Sequence, residues 1–144
     1  MKKILLIGAS GMIGNSILTF FSSKNIYSIC ATVRSSDSFK RPFGKANYKL
    51  FNNLDVEKKN ELKNLFNQVT PDVVINCVGI VKQSKEIKNI YKVISLNSLL
   101  PHFLENLCAK YNSRLINIST DCVFSGLKGN YCENDLSDAS DIYG

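Results

Sequence analysis

The chain has 144 residues, 44% hydrophobic and 21% charged, the profile of a single globular domain with a proper core. No apolar run approaches the ~20 residues of a membrane span, so no membrane partner is expected. The net charge of +6 comes from scattered lysines without interleaved aromatics, which argues against a nucleic-acid partner while favouring an anionic nucleotide ligand.

In chain order, apolar runs of strand length alternate with longer helical patterns. Residues 3–7 read as a strand buried on both faces. Behind Met1, Lys2 and Lys3 the run faintly mimics a signal peptide, but it is shorter than the roughly 7–15 residues of a signal core. A cytoplasmic location is therefore expected. Residues 13–22 carry Ile13, Ile17, Leu18, Phe20 and Phe21 at helical spacing. A second strand follows at 27–33, then a polar loop at 35–45 with Pro42 and Gly44, then a short third strand at 48–51. Asp55 is placed to cap a helix over 56–68, which has Leu62, Leu65 and Phe66 on one face. Pro71 and Asp72 lead into the strongest strand signal, 73–78. Residues 87–111 are mostly helical, with Pro101 forcing a break or kink. Residues 115–118 are a fifth strand, and 119–141 a long loop rich in glycine and aspartate.

This alternation predicts an α/β fold, a Rossmann-like doubly wound parallel sheet in strand order 3-2-1-4-5 with right-handed crossovers. In such a sheet ligands bind beyond the carboxyl ends of the strands, near the switch point. The cysteines (Cys30, Cys77, Cys108, Cys122, Cys132) are widely spaced and His102 is the only histidine, so no metal site is expected. An odd number of cysteines without an export signal points to free thiols, with Cys30 and Cys77 as core residues.

Gly8, Gly11 and Gly14 recur at intervals of three, directly after a strand and opening a helix. Gly8 allows the tight turn, Gly11 lets backbone approach a pyrophosphate, and Gly14 permits close helix–sheet packing. With Ser10, Met12 and Ile13 they form a loop at a helix N-terminus, where N–H groups and the helix dipole favour phosphate. Dinucleotide binding is the expectation; the alternative is a glycine-rich turn without a ligand. At the end of the second strand, Arg34 and then Ser35 stand where an acidic residue commonly binds the ribose 2′-OH of NAD. A cation and a hydroxyl suit the 2′-phosphate of NADP; NAD stays open, because Arg34 also reads as a surface arginine.

The glycine spacing is the form seen in extended short-chain dehydrogenase/reductases. Asp55 and Val56 resemble that superfamily's adenine contact, and Asn76-Cys77-Val78-Gly79 resembles its strand end along the cofactor. Asn97 matches a position where relatives keep a structural asparagine. More specific is Ser119-Thr120-Asp121-Cys122-Val123-Phe124-Ser125-Gly126, followed by Tyr131-Cys132-Glu133-Asn134-Asp135 and by Tyr143-Gly144. It resembles the dTDP-4-dehydrorhamnose reductase-like family, which carries Ser-Thr-Asp-Tyr-Val-Phe-Asp-Gly, then Tyr-x-Glu-x-Asp, then Tyr-Gly-x-x-Lys. The resemblance implies NADPH-dependent reduction of a 4-keto sugar nucleotide for surface polysaccharide synthesis. Tyr143 would protonate the carbonyl oxygen, Thr120 beside Ser119 would hydrogen-bond it, and Asp121 would contact the sugar.

Two relatives of that kind stay open as alternatives: a sugar-nucleotide epimerase, and a non-catalytic NADP-binding subunit like the regulatory beta subunit of methionine adenosyltransferase. Cys122 and Ser125 replace a tyrosine and an aspartate of the family pattern and are expected to alter the pocket wall. The family lysine, one helical turn beyond the tyrosine, falls after Gly144, as does the substrate-binding part. The resemblance thus implies a front part of a protein about twice as long, able to bind cofactor with little turnover. A homodimer is expected only through apolar surface that such a continuation would cover.

Overall fold

The computed structural model describes residues 1–36, 39 and 47–144. Of the expected polar loop, Pro42 and Gly44 lie outside the described residues. The regular elements are β1 (Lys2–Ile7), α1 (Met12–Ser22), β2 (Tyr27–Thr32), β3 (Lys49–Phe51), α2 (Lys59–Val69), β4 (Val73–Asn76), α3 (Ile90–Val93), α4 (Leu100–Lys110) and β5 (Arg114–Asn117). The strands form one sheet in the order β3-β2-β1-β4-β5, and every pairing is parallel. This is the doubly wound α/β architecture read from the alternation of apolar patterns.

The central strand shows why the sheet is covered on both faces. Leu5 and Ile7 join a core with Leu62, Leu65, Phe66 and Leu104 from α2 and α4. Ile4 and Leu6 turn to the opposite layer, with Leu18 of α1 and Ile29 and Ala31 of β2. Side chains two apart share a face, so a continuous apolar run satisfies two layers at once. Each fully buried side chain of this kind contributes about 1.5–3 kcal/mol relative to exposure. Among the described residues no helix is long and apolar enough to cross a membrane.

Three boundaries differ from the sequence reading by more than one residue. Asp55 does not cap α2: its carboxylate accepts from the Glu57 N–H at 3.0 Å, and its carbonyl from Lys58 N–H at 3.1 Å, closing a separate turn. A short polar side chain bonded two residues ahead makes its own turn, and the helix starts only at Lys59. Strand β4 ends at Asn76 because its side-chain oxygen accepts from Val78 N–H at 3.2 Å and draws the backbone off the ladder, although Cys77 N–H still reaches Ile7 O at 2.9 Å. The region 87–111 begins as a 3₁₀ turn (Lys85–Lys88) and then runs through α3, a π turn (Ile94–Leu99) and α4. Pro101 has no N–H for the carbonyl four residues back, and its ring crowds that group. The π turn widens the helix there, with Leu100 N–H reaching Ser95 O, so the helix passes the proline without breaking.

The five cysteines are free. Burial pushes the thiols of Cys77 and Cys108 up to about 11 and raises that of Cys30, while Cys132 is exposed. Because the thiolate is the reactive form, alkylation by iodoacetamide at pH 7.5 should modify Cys132 well before Cys77 and Cys108. Peptide mapping of partially alkylated protein checks the order. Gly14 tests the packing of α1: a Cβ there would sit 2.2 Å from the carbonyl oxygen of Gly8. Gly14→Ala should therefore cost about 1–3 kcal/mol by overpacking, read as a lower midpoint in urea unfolding.

Candidate functional site

Two adjoining cavities lie at the carboxyl ends of the strands. The first, about 230 Å³, takes Gly8, Ser10 and Gly11 after β1, Arg34 after β2, Asp55 and Val56 after β3, and Cys77, Val78 and Gly79 after β4. The second, about 480 Å³, shares Cys77, Val78, Gly79 and Ile80 and adds Asn97, Asn117, Ser119, Thr120, Asp121 and Tyr143.

The glycine loop is set by short contacts. Gly8 has φ +88°, and a Cβ there would lie 2.8 Å from Val78 Cγ2, so both conformation and space demand glycine. Buried Thr32 holds the loop twice, its hydroxyl accepting from Gly8 N–H at 3.3 Å and its carbonyl from Ala9 N–H at 2.9 Å. Gly11 differs from Gly8 and Gly14. A Cβ on it would meet only the Gly8 carbonyl oxygen, at an ordinary 3.6 Å. The fold does not need that glycine, whereas an approaching pyrophosphate would. Gly11 is also the N-cap of α1, which has no side-chain cap and no acidic residue in its first turn. The donor end of the helix dipole thus borders the cavity without a local anion to quench it. The loop, the space above Gly11 and this helix end fit a dinucleotide phosphate.

Carboxylates also line the first cavity, and each is engaged by a protein donor. Asp55 holds Glu57 N–H, Glu57 accepts from the Ser95 hydroxyl at 2.8 Å, and Glu86 pairs with Lys92 at 2.7 Å. The carboxyl of Glu86 is held below its usual range first by the Lys92 hydrogen bond, with Arg34 adding a smaller attraction. Arg34 itself is exposed on the rim.

Asparagines anchor the strip between the cavities. Asn76, buried at the end of β4, donates to the side-chain oxygen of Asn117 at the end of β5 at 2.7 Å. Asn97, in the π turn, accepts from Ile80 N–H at 2.8 Å and donates to Ile80 O at 2.9 Å. Its amide thereby holds the backbone that follows Gly79, and the residue itself lines the second cavity. In the second cavity, Thr120 caps a short 3₁₀ turn (Asp121–Val123), accepting from Cys122 N–H at 3.2 Å. Half-buried Tyr143 lines the same cavity, and its N–H donates to Asp141 at 2.9 Å.

Most predicted site residues therefore meet in one crevice, Ile13 joining the second cavity. Met12, Gly14 and Ser35 line neither. Nor do Cys122 and Ser125, which were expected to shape the wall; Val123 faces the cavity, and in the neighbouring loop Ser125 donates its N–H and its hydroxyl to the two carboxylate oxygens of Asp138, each at 2.6 Å. Sequence reasoning missed Thr32, Glu57, Glu86 and Asn117. Only Asn117 left a signal: both β4 and β5 end in Ile-Asn, and parallel pairing puts Asn76 beside Asn117.

The dTDP-4-dehydrorhamnose reductase of Aggregatibacter actinomycetemcomitans is 24% identical over 145 residues, covering 100% of this chain and 44% of its own length. The methionine adenosyltransferase 2 subunit beta of Rattus norvegicus is 24% identical over 99% of this chain and 40% of its own length. A crystal structure of a hypothetical dTDP-4-dehydrorhamnose reductase from Sulfolobus tokodaii superposes with a TM-score of 0.76 at 27% identity, over 100% of this chain and 48% of that one. The chain thus spans less than half the length of each of these relatives. The model of the RmlD substrate binding domain matches residues 1–144, and with the glycine loop, the Ser-Thr-Asp turn and the tyrosine in one crevice, this chain belongs to that family.

Proposed function

We propose that the whole protein is an NADPH-dependent reductase of a 4-keto sugar nucleotide, acting in surface polysaccharide synthesis. The observation that carries this reading is the continuity of the two cavities. A glycine-loop cavity fit for a dinucleotide shares the 77–80 strip with a cavity lined by Thr120, Asp121 and Tyr143. Gly8, Ser10, Gly11 and the start of α1 would hold the pyrophosphate, Asp55 and Val56 the adenine side, and Arg34 the 2′-phosphate. When bound, the nicotinamide supplies the hydride for the ketone carbon. The chain's own residues complete the balance. The Tyr143 hydroxyl gives its proton to the carbonyl oxygen as that oxygen gains the electron pair of the C=O bond. Thr120 donates a hydrogen bond to the same oxygen, and Asp121 accepts from a sugar hydroxyl. The net charge of +6 favours a ligand with two phosphates.

The likeness to the methionine adenosyltransferase beta subunit supports a second reading, a non-catalytic nucleotide-binding subunit. Turnover separates the two. In the whole protein, Tyr143→Phe should lower kcat by roughly 10²–10⁴-fold while leaving NADPH affinity intact. A wild-type protein that binds NADPH but reduces no 4-keto sugar nucleotide would favour the subunit reading.

Cofactor choice is checked by calorimetric titration. NADPH should bind about tenfold more tightly than NADH, equivalent to about 1.4 kcal/mol, and Arg34→Ala should erase the difference. Equal affinities in the wild type would remove the role given to Arg34. Gly11→Ala should preserve the unfolding midpoint and still weaken NADPH binding by about tenfold, because its methyl group occupies phosphate space rather than protein space.

A further inference from the structure

We propose that Lys82 is a positioning residue, whose ion pair with Asp141 fixes the segment carrying Tyr143 in the wall of the second cavity. Lys82 Nζ lies 2.6 Å from Asp141 Oδ2. The other oxygen of that carboxylate accepts from the N–H groups of Tyr143 at 2.9 Å and Gly144 at 3.1 Å. A carboxylate that bonds the amides two and three residues ahead has the geometry of a helix N-cap. Asp141 therefore organises the backbone of Tyr143 with one oxygen and ties it to Lys82 with the other.

The anchor at the far end is firm. Lys82 stands two residues beyond Ile80, whose N–H and carbonyl are both held by Asn97. Ser84 N–H closes the following turn onto Val81 O at 2.9 Å. The remaining described tethers come from the β5 side. Asp138 and Ala139 N–H groups reach Val123 O at 3.1 Å, Asp138 binds Ser125, and Gly144 packs so tightly that a Cβ would lie 2.1 Å from Cys122 O. Lys82 supplies the cross-brace from the β4 side, and so keeps Tyr143 in the wall of the cavity that the 77–80 strip also lines. The Asp141 carboxyl is held down at about 2, first by Lys82 and then by the Gly144 and Tyr143 N–H groups, so the brace is charged throughout the neutral range.

Both partners are about half exposed, at 53% and 46%, and an ion pair so placed adds little to global stability. Its effect is local, on a tyrosine whose placement sets the rate. The functional half of the inference rests on the reductase reading of Tyr143; the brace itself does not. Amide hydrogen exchange on the whole protein tests the brace directly. Lys82→Met should speed exchange at Tyr143 and Gly144 about tenfold, with Asp138 and Ala139 and the unfolding midpoint little changed. Lys82→Arg should restore protection. Asp141→Asn keeps a capping oxygen but loses the charge, and combining it with Lys82→Met should add nothing further. In turnover, Lys82→Met should lower kcat about tenfold with the KM for NADPH unchanged, and Lys82→Arg should recover it. Unchanged exchange in Lys82→Met, or faster exchange with undiminished kcat, overturns the proposal. Should the wild type reduce no keto sugar nucleotide, the reductase reading fails, and exchange at Tyr143 and Gly144 alone decides the brace.

Discussion

Parallel pairing of β1 with both of its neighbours, in one register, positions everything else in the molecule. Ile7 stands opposite Thr32 on one side and Asn76 on the other; Thr32 stands opposite Phe51, and Asn76 opposite Asn117. All five strands thus leave the sheet at the same level, and the loops that follow them meet in one crevice. A slip of one residue would exchange the side chains between the two cores and move the strand exits out of level. The contact between Gly14 and the Gly8 carbonyl depends on this arrangement, since α1 can press onto the sheet only where the turn after β1 is tight.

Polar side chains at the strand exits turn this level edge into a rigid cradle. Thr32 fixes the glycine loop, Asn76 and Asn117 join the ends of β4 and β5, and Asn97 clamps Ile80. Among the described residues no buried side-chain nitrogen or oxygen lacks a hydrogen-bond partner. Buried networks satisfied in this way hold one geometry, because a displaced member would leave donors or acceptors unpaired at a cost of about 1–3 kcal/mol each. Preorganisation of this kind is what the proposed reductase would need to align its cofactor with a ketone.

The π turn serves the same end. Pro101 excludes an ordinary helical bond one turn back, and the helix answers by widening over 94–99. That widened stretch carries Asn97, whose amide closes on Ile80 in both directions. A proline that looks like a helix defect thereby accompanies the clamp beside Gly79. Across the crevice, Asp138 binds Ser125 through both carboxylate oxygens and braces the loop from outside the cavity.

The sequence by itself determined the fold class and the strand order, and it pointed to the crevice that holds the candidate site. Apolar periodicity separates strands from helices, and a parallel sheet leaves one crevice for the motifs at its carboxyl edge. The glycine loop, the strand-end residues Arg34, Asp55, Val56, Cys77, Val78 and Gly79, Asn97 and the segment from Ser119 to Tyr143 together marked more than half of the residues that line it. What escaped were contacts between residues distant in the chain. Asn97 with Ile80 and Lys82 with Asp141 have no local pattern, because each is made by the meeting of two loops or elements; Asn76 with Asn117 shows only once the parallel pairing of the two Ile-Asn strand ends is in place. Local competition also moved the boundaries: Asp55 closed its own turn instead of capping α2, and Asn76 pulled its backbone off β4. Only the tertiary structure decided these points, since a side chain with several available hydrogen-bond partners takes the one that packing brings within about 3 Å.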